Sequence, residues 1–161
     1  MALEIERKFL VETERLDPLA DGEEIVQGYI AAADHAAVRV RLAGKRAWLT
    51  IKGATVGASR SEFEYPIPIA DARQMLAELC GDRVLSKTRF RQRRGDHEWE
   101  IDVFHGANDG LIVAEVELRS ETDDPELPDW VREEVTGDPR YYNANLVSHP
   151  FSQWRGEKAA T

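Results

Sequence analysis

Glu4-Ile5-Glu6-Arg7-Lys8, near the start of the chain, sets two carboxylates and an ammonium at alternate positions. Strict i, i+2 spacing puts Glu4, Glu6 and Lys8 on one face of a strand. The pattern returns in Arg39-Val40-Arg41, Thr50-Ile51-Lys52, Glu62-Phe63-Glu64, Lys87-Thr88-Arg89-Phe90-Arg91, Glu100-Ile101-Asp102 and Glu115-Val116-Glu117. One such strand alone would simply turn its polar face to water. Here the pattern recurs with both signs and with close acid pairs, which predicts a sheet closed into a barrel around its charges, a wet channel lined by cations and carboxylates. Phe9, Val38, Val40, Ile51, Phe63, Tyr65, Phe90, Trp99, Ile101, Val103, Val116 and Leu118 lie between the charged positions and would face outward, under helices and flanking segments. That partition is the reverse of a barrel with an apolar cavity. The alternative is a flat sheet whose charged face is solvated.

Composition narrows the class. A chain of 161 residues can bury a core without disulfides, and its one cysteine, Cys80, reads as a packing residue at a helix end. With 42% apolar and 32% charged residues, neither disorder nor a membrane protein is indicated. A net charge of -9 argues against a nucleic-acid partner, so an anion must be held by a local basic surface. The N-terminus is charged from its fourth residue, and no apolar run approaches the roughly 20 residues of a membrane span, so a cytoplasmic location is expected. Residues 1–155 read as a single domain and 156–161 as a flexible tail.

Along the chain, strands are expected at 3–11, 25–32, 37–43, 46–53, 60–67, 84–93, 97–104 and 111–119. Residues 15–21 read as a turn or brief helix broken by Pro18. Ala72, Met75, Leu76 and Leu79 recur at helical spacing between Asp71 and Gly81, predicting a helix over 71–80. Further helices are expected at about 129–136 and near 143–148.

The charged motifs carry the chemistry. Glu4-x-Glu6-x-Lys8 suits a hard cation beside a phosphate, and Glu115-x-Glu117 can close the opposite side of the same sphere, with Asp102 or Glu100 adding to it. Oxygen ligands alone point to Mg²⁺ or Mn²⁺ rather than zinc. Lys8, Arg39, Arg41, Lys52, Lys87, Arg89 and Arg91 supply donors that suit phosphate oxygens. The histidines, His35, His97, His105 and His149, have no metal spacing and read as surface residues. Trp48, Trp99, Trp130 and Trp154 are scattered and read as packing residues.

In their order the motifs resemble the triphosphate tunnel metalloenzymes, the CYTH domain superfamily. Glu4-Ile5-Glu6-Arg7-Lys8, Gln27-Gly28-Tyr29, Val38-Arg39-Val40-Arg41, Thr50-Ile51-Lys52-Gly53, Glu62-Phe63-Glu64-Tyr65, Lys87-Thr88-Arg89-Phe90, Glu100-Ile101-Asp102 and Ala114-Glu115-Val116-Glu117-Leu118 carry the resemblance from residue 4 to about 146. It implies a mainly β fold with flanking helices, an eight-stranded antiparallel β-barrel forming a charged tunnel. The compact hairpin from Gln27 to Arg41 looks most like the short bacterial inorganic tripolyphosphatases, so metal-dependent hydrolysis of tripolyphosphate is expected, with weaker action on nucleoside triphosphates. The resemblance implies Lys8, Glu6 and Glu117 as catalytic groups and Glu4, Glu6, Asp102, Glu115 and Glu117 as metal ligands. Lys8, Arg39, Arg41, Lys52, Lys87, Arg89 and Arg91 would hold substrate. Glu62, Glu64 and Glu100 would be ligands, water positioners or counter-ions. Tyr141 to Leu146 look like the family's C-terminal helix near one tunnel mouth. A class IV-type adenylyl cyclase and a noncatalytic polyphosphate-binding module are the alternatives; the acid pairs favour an enzyme, and no segment reads as a base pocket. The expected partner is a small polyanion, with no nucleic acid and no membrane, and the oligomeric state is open.

Overall fold

The computed structural model describes residues 2–156. Its strands are β1 (Ala2–Val11), β2 (Glu23–Ile30), β3 (Ala36–Ala43), β4 (Arg46–Gly53), β5 (Ser59–Pro66), β6 (Val84–Arg94), β7 (His97–Phe104), β8 (Ile112–Glu117) and β9 (Val131–Glu134), with helices α1 (Ile69–Glu78) and α2 (Asn143–Leu146). The spatial order β5-β4-β3-β2-β6-β7-β8-β1 closes on itself because β5 also pairs with β1, giving an eight-stranded barrel in which every pairing is antiparallel. Two-residue turns join β3 to β4 and β6 to β7. Gly44 and Gly95 each take a φ of 58°, the left-handed value that such hairpins require and glycine adopts without strain.

One face of each strand turns inward. Glu4, Glu6 and Lys8 share a face, and register carries it to Glu117 and Glu115 on β8, then to Glu100 and Asp102 on β7. The outward residues form two cores. Ile5, Phe9, Val11, Trp99, Ile101, Val116 and Leu118 pack with Trp130, and Trp99 meets the Trp130 ring edge-on at 5.4 Å. Val40 and Ala47 on the β3–β4 wall pack under Ala72 of α1 and the buried Cys80. Pro68, extended at the helix N-cap, starts α1 two residues earlier than its apolar spacing suggests.

Three expectations need correction. The segment expected as a helix at 129–136 holds strand β9 instead. β1 leaves β5 after Ile5, and its freed edge takes β9, with Val135 N–H donating to the Lys8 carbonyl at 2.8 Å. β-Branched Val131 in the strand, and Val135 and Thr136 directly after it, suit extended chain better than a helix. Secondly, not all outward apolar residues are covered. Ile51, Phe63 and Tyr65 remain 37%, 37% and 54% exposed, because α1 reaches only the neighbouring part of the wall. Thirdly, the inward faces are not charged throughout. Leu85, Phe104 and Val113 continue the faces of Lys87, Asp102 and Glu115 at one end of the barrel and pack with Tyr141, Leu146 and Trp154. The expected tail lies outside the described residues except for Gly156, and no helix among the described residues is long and apolar enough to cross a membrane.

Gly28 shows how tightly α1 sits. A Cβ there would lie 2.8 Å from Cys80 Sγ and 2.9 Å from Leu76 Cδ2. Gly28→Ala should therefore destabilise the fold by about 1–3 kcal/mol in urea titration; an unchanged midpoint would mean that the helix moves freely on the sheet.

Candidate functional site

A cavity of about 720 Å³ runs inside the barrel, lined by Glu4, Glu6, Lys8, Arg39, Arg41, Lys52, Glu62, Glu64, Lys87, Arg89, Arg91, Glu100 and Glu115. Register decides which charges meet. Lys8 stands opposite Glu115, Lys52 opposite Glu62, Arg89 opposite Asp102, Arg91 opposite Glu100 and Arg60 opposite Glu4. Each of these cross-strand pairs makes an ion pair, from 2.8 Å for Arg89–Asp102 to 3.7 Å for Arg91–Glu100. Lys87, only 1% exposed, adds a second cation to Asp102 at 2.7 Å. Arg89 grips the same carboxylate through two nitrogens, so Asp102 is saturated by its neighbours and its pKa is held at about 2 against burial, by Lys87 and then Arg89.

Two walls escape this neutralisation, with opposite sign. Across β1, β8 and β7, Glu6 stands opposite Glu117 and Glu115 opposite Glu100. Like charges in directly opposed positions repel. Glu6 is pushed well above the usual carboxylate range by burial, then by Glu115 and Glu4, and it shares a hydrogen bond with Glu115. Glu115 is held well below that range: Lys8 and the Glu6 hydrogen bond outweigh its burial. The two shifts run in opposite directions, so of the two carboxyls Glu6 is the one that favours its acid form. Glu4 and Glu62 form a second hydrogen-bonded pair over Lys52; Glu4 is drawn down to about 2 because Lys52 outweighs burial, while burial and then Glu4 raise Glu62. Glu117 lies farther out, exposed, its pKa raised by burial and then by Glu4 and Glu100.

The β3 wall is basic. The residues opposite Arg39 and Arg41 are Tyr29, Thr50, Gln27 and Trp48, none of them acidic. Arg39 reaches Glu64 only at 3.5 Å, and its buried Nε has no hydrogen-bond partner. No carboxylate among the described residues lies within ion-pair distance of Arg41, whose Nε donates to the neutral Gln27 Oε1 at 2.9 Å. Burial, then Arg39 and Arg89, push its pKa down to about 9, which leaves it charged at neutral pH. Burial also brings Lys87 down to about 7, with Arg89 and Arg41 acting against Asp102. A half-buried cation without a counter-ion and a buried donor without an acceptor both call for an anion.

The acidic wall fits a divalent cation. Among the described residues no three acidic, histidine or cysteine side chains form a ready-made metal cage. A magnesium-type ion needs none, since it commonly takes one or two carboxylates and fills its octahedron with water and phosphate oxygens. Hard oxygen donors opposed across neighbouring strands are a suitable start.

The C-terminal segment closes one end. Lys8 Nζ donates to the Tyr141 carbonyl at 3.2 Å and lies 5.8 Å from the centre of the Tyr142 ring, while Asn143 Oδ1 accepts from Lys87 Nζ at 2.8 Å. All seven sequence-predicted cations line the cavity, although Arg91 is at an exposed rim. Sequence reasoning missed Arg60, Gln27 and Asn143. Arg60 was legible, since it continues the alternation of Glu62 and Glu64. Gln27 and Asn143 are neutral and gave no charge signal. Of the tryptophans, Trp99, Trp130 and Trp154 are packed as expected, whereas Trp48 is half-buried and lines the cavity. His97 pairs with Asp123 and His105 with Thr88, away from the cavity.

Residues 2–148 match the CYTH domain model. The chain is 43% identical over 155 residues to an inorganic triphosphatase of Acetivibrio thermocellus, covering 96% of this chain and 99% of that protein. It is 37% identical over 152 residues to an inorganic triphosphatase of Nitrosomonas europaea, covering 89% and 96%. A crystal structure of an inorganic triphosphatase superposes with a TM-score of 0.62 at 32% identity, over 91% of this chain and 95% of that one.

A cation entering the acidic wall competes with protonation of Glu6, whose raised pKa favours the acid form. Mn²⁺ binding should therefore release protons and tighten as pH rises, read by calorimetry in buffers of different ionisation enthalpy. Glu6 has a folded pKa above its unfolded one, so the stability it contributes is present at low pH and is lost as pH climbs through the folded value. Mn²⁺ should restore the melting temperature there. Binding without proton release would contradict the raised pKa of Glu6.

Proposed function

The chain belongs to the CYTH domain family, and we propose that within it this protein is an inorganic triphosphatase, a hydrolase that cleaves a phosphoanhydride bond of tripolyphosphate with the help of Mg²⁺ or Mn²⁺. One observation carries the reading. Arg39 and Arg41 form a basic wall short of counter-ions, and it shares the cavity with an acidic wall whose carboxylates repel one another. An extended polyanion carrying a hard cation complements both walls at once.

The roles follow from position. Glu6 and Glu115, with Glu4 beside them and Glu117 toward the mouth, would hold the cation, which when bound supplies neutralising charge to the phosphate oxygens and lowers the pKa of water. Arg39, Arg41, Lys52, Lys87 and Arg89 grip the phosphates from the other strands, and Arg91 meets the chain at the rim. Lys8, fixed by Glu115 and the Tyr141 carbonyl, presents its ammonium between the carboxylates and the phosphate path, where it stabilises charge that grows on the leaving group. Asp102 serves as the counter-ion that keeps Lys87 and Arg89 together. Glu62, Glu64 and Glu100 balance Lys52, Arg39 and Arg89.

Phosphate release from tripolyphosphate, pyrophosphate and ATP tests the reading. Tripolyphosphate should give the highest kcat/KM, since pyrophosphate spans fewer cations, and a chelator should abolish turnover. Glu6→Gln should lower kcat by on the order of 10²-fold. Arg41→Ala should weaken substrate binding by about 1.5–3 kcal/mol, the value of a charge-assisted contact. Full activity in chelator would remove the metal from the account, and efficient conversion of ATP to cyclic AMP would make the protein a cyclase.

A further inference from the structure

Asn143 belongs to none of the charged motifs, yet it touches the two sides of the cavity that hold phosphate. Its Oδ1 accepts from Lys87 Nζ at 2.8 Å and from Gln27 Nε2 at 3.1 Å. Gln27, fully buried in β2, donates from the same nitrogen to Tyr29 Oη at 3.0 Å, and its Oε1 accepts from Arg41 Nε. We infer that Asn143 is a positioning residue: it sets the orientation of the Gln27 amide and, through it, the guanidinium of Arg41, so that Lys87 and Arg41 face the tripolyphosphate as one fixed unit.

Donor and acceptor parity fixes the orientation of both amides. An ammonium and a guanidinium only donate, so with Lys87 protonated beside the Asp102 carboxylate at 2.7 Å the atoms facing Lys87 and Arg41 must both be acceptors. With Oδ1 of Asn143 fixed by Lys87, the Gln27 atom that meets it must be the NH₂ group. The other end of the amide, the oxygen, is then left for Arg41. Remove Asn143, and the Gln27 amide is left to the Tyr29 hydroxyl, which can donate or accept, and to Arg41 itself, which can swing away; an amide that turned over would set an NH₂ group against the Arg41 N–H and drive the guanidinium off. Arg41 is the cation for which this matters most, because no carboxylate among the described residues holds it. A neutral relay has a further consequence: it orders Arg41 without cancelling its charge, which a carboxylate in place of Gln27 would do. The inference rests on the triphosphatase reading for its ligand and adds to it a role for the C-terminal segment beyond closing the barrel end.

The test is calorimetric binding of tripolyphosphate in EDTA, which reads anion capture without turnover. Asn143→Ala should raise Kd by about tenfold or more, the loss expected when a charge-assisted contact is no longer aligned. Gln27→Met, of similar length but unable to relay, should show a comparable loss, and it lies in the barrel wall, so it reports even if the C-terminal segment of Asn143→Ala comes loose. The Asn143→Ala/Gln27→Met double variant should bind no more than about threefold worse than the weaker single, because both break one chain. In steady-state assays with Mn²⁺, Asn143→Ala should raise KM while leaving kcat within about threefold. Unchanged Kd for either single variant, or losses that multiply in the double, would overturn the relay. Native protein that binds tripolyphosphate but does not hydrolyse it would sink the triphosphatase reading and leave the relay standing if the variants behave as stated; no binding by the native protein removes both.

Discussion

Charge enclosed in a barrel must be neutralised or kept wet, and in this protein the strand register does most of the neutralising. Because side chains alternate with a period of two, the pairing that closes the barrel also decides which charge meets which. Five directly opposed pairs of cation and acid make ion pairs. A slip of one residue in a strand would turn its cavity charges toward the outer core and its outer apolar residues toward the cavity. The charged interior therefore specifies register as strongly as the apolar exterior does.

The exceptions to neutralisation define the function. Acid faces acid between β1 and β8 and between β8 and β7, and on β3 two arginines face neutral residues. Each is unfavourable in the empty barrel, since directly opposed acids repel and an enclosed arginine short of counter-ions keeps part of its desolvation cost. Both are relieved by the same complex of phosphate and divalent cation. Ligand binding should thus stabilise the fold appreciably, because the native barrel binds that complex and the unfolded chain does not.

Much of this was legible in the sequence for a physical reason: a strand with one charged and one apolar face writes its geometry as strict alternation. Glu4, Glu6, Lys8, Arg39, Arg41 and Lys87 all reach the cavity that the alternation implied. What it could not convey depends on contacts far apart in sequence. The 129–136 stretch became a strand because β1 offered an open edge beyond Ile5, and the apolar closure of one barrel end emerged only when Tyr141, Leu146 and Trp154 met Phe104 and Val113. Neutral Gln27 and Asn143 carry no periodic signal at all, and their importance lies in which atom donates and which accepts.

The most direct test of the central claim is the anomalous diffraction of Mn²⁺ in crystals grown with a non-hydrolysable tripolyphosphate analogue. A manganese peak in contact with Glu6 and Glu115, with the analogue extending from it inside the barrel to Arg39 and Arg41, is the predicted result. Manganese bound only outside the barrel, or an analogue lying on the outer surface, would contradict the account.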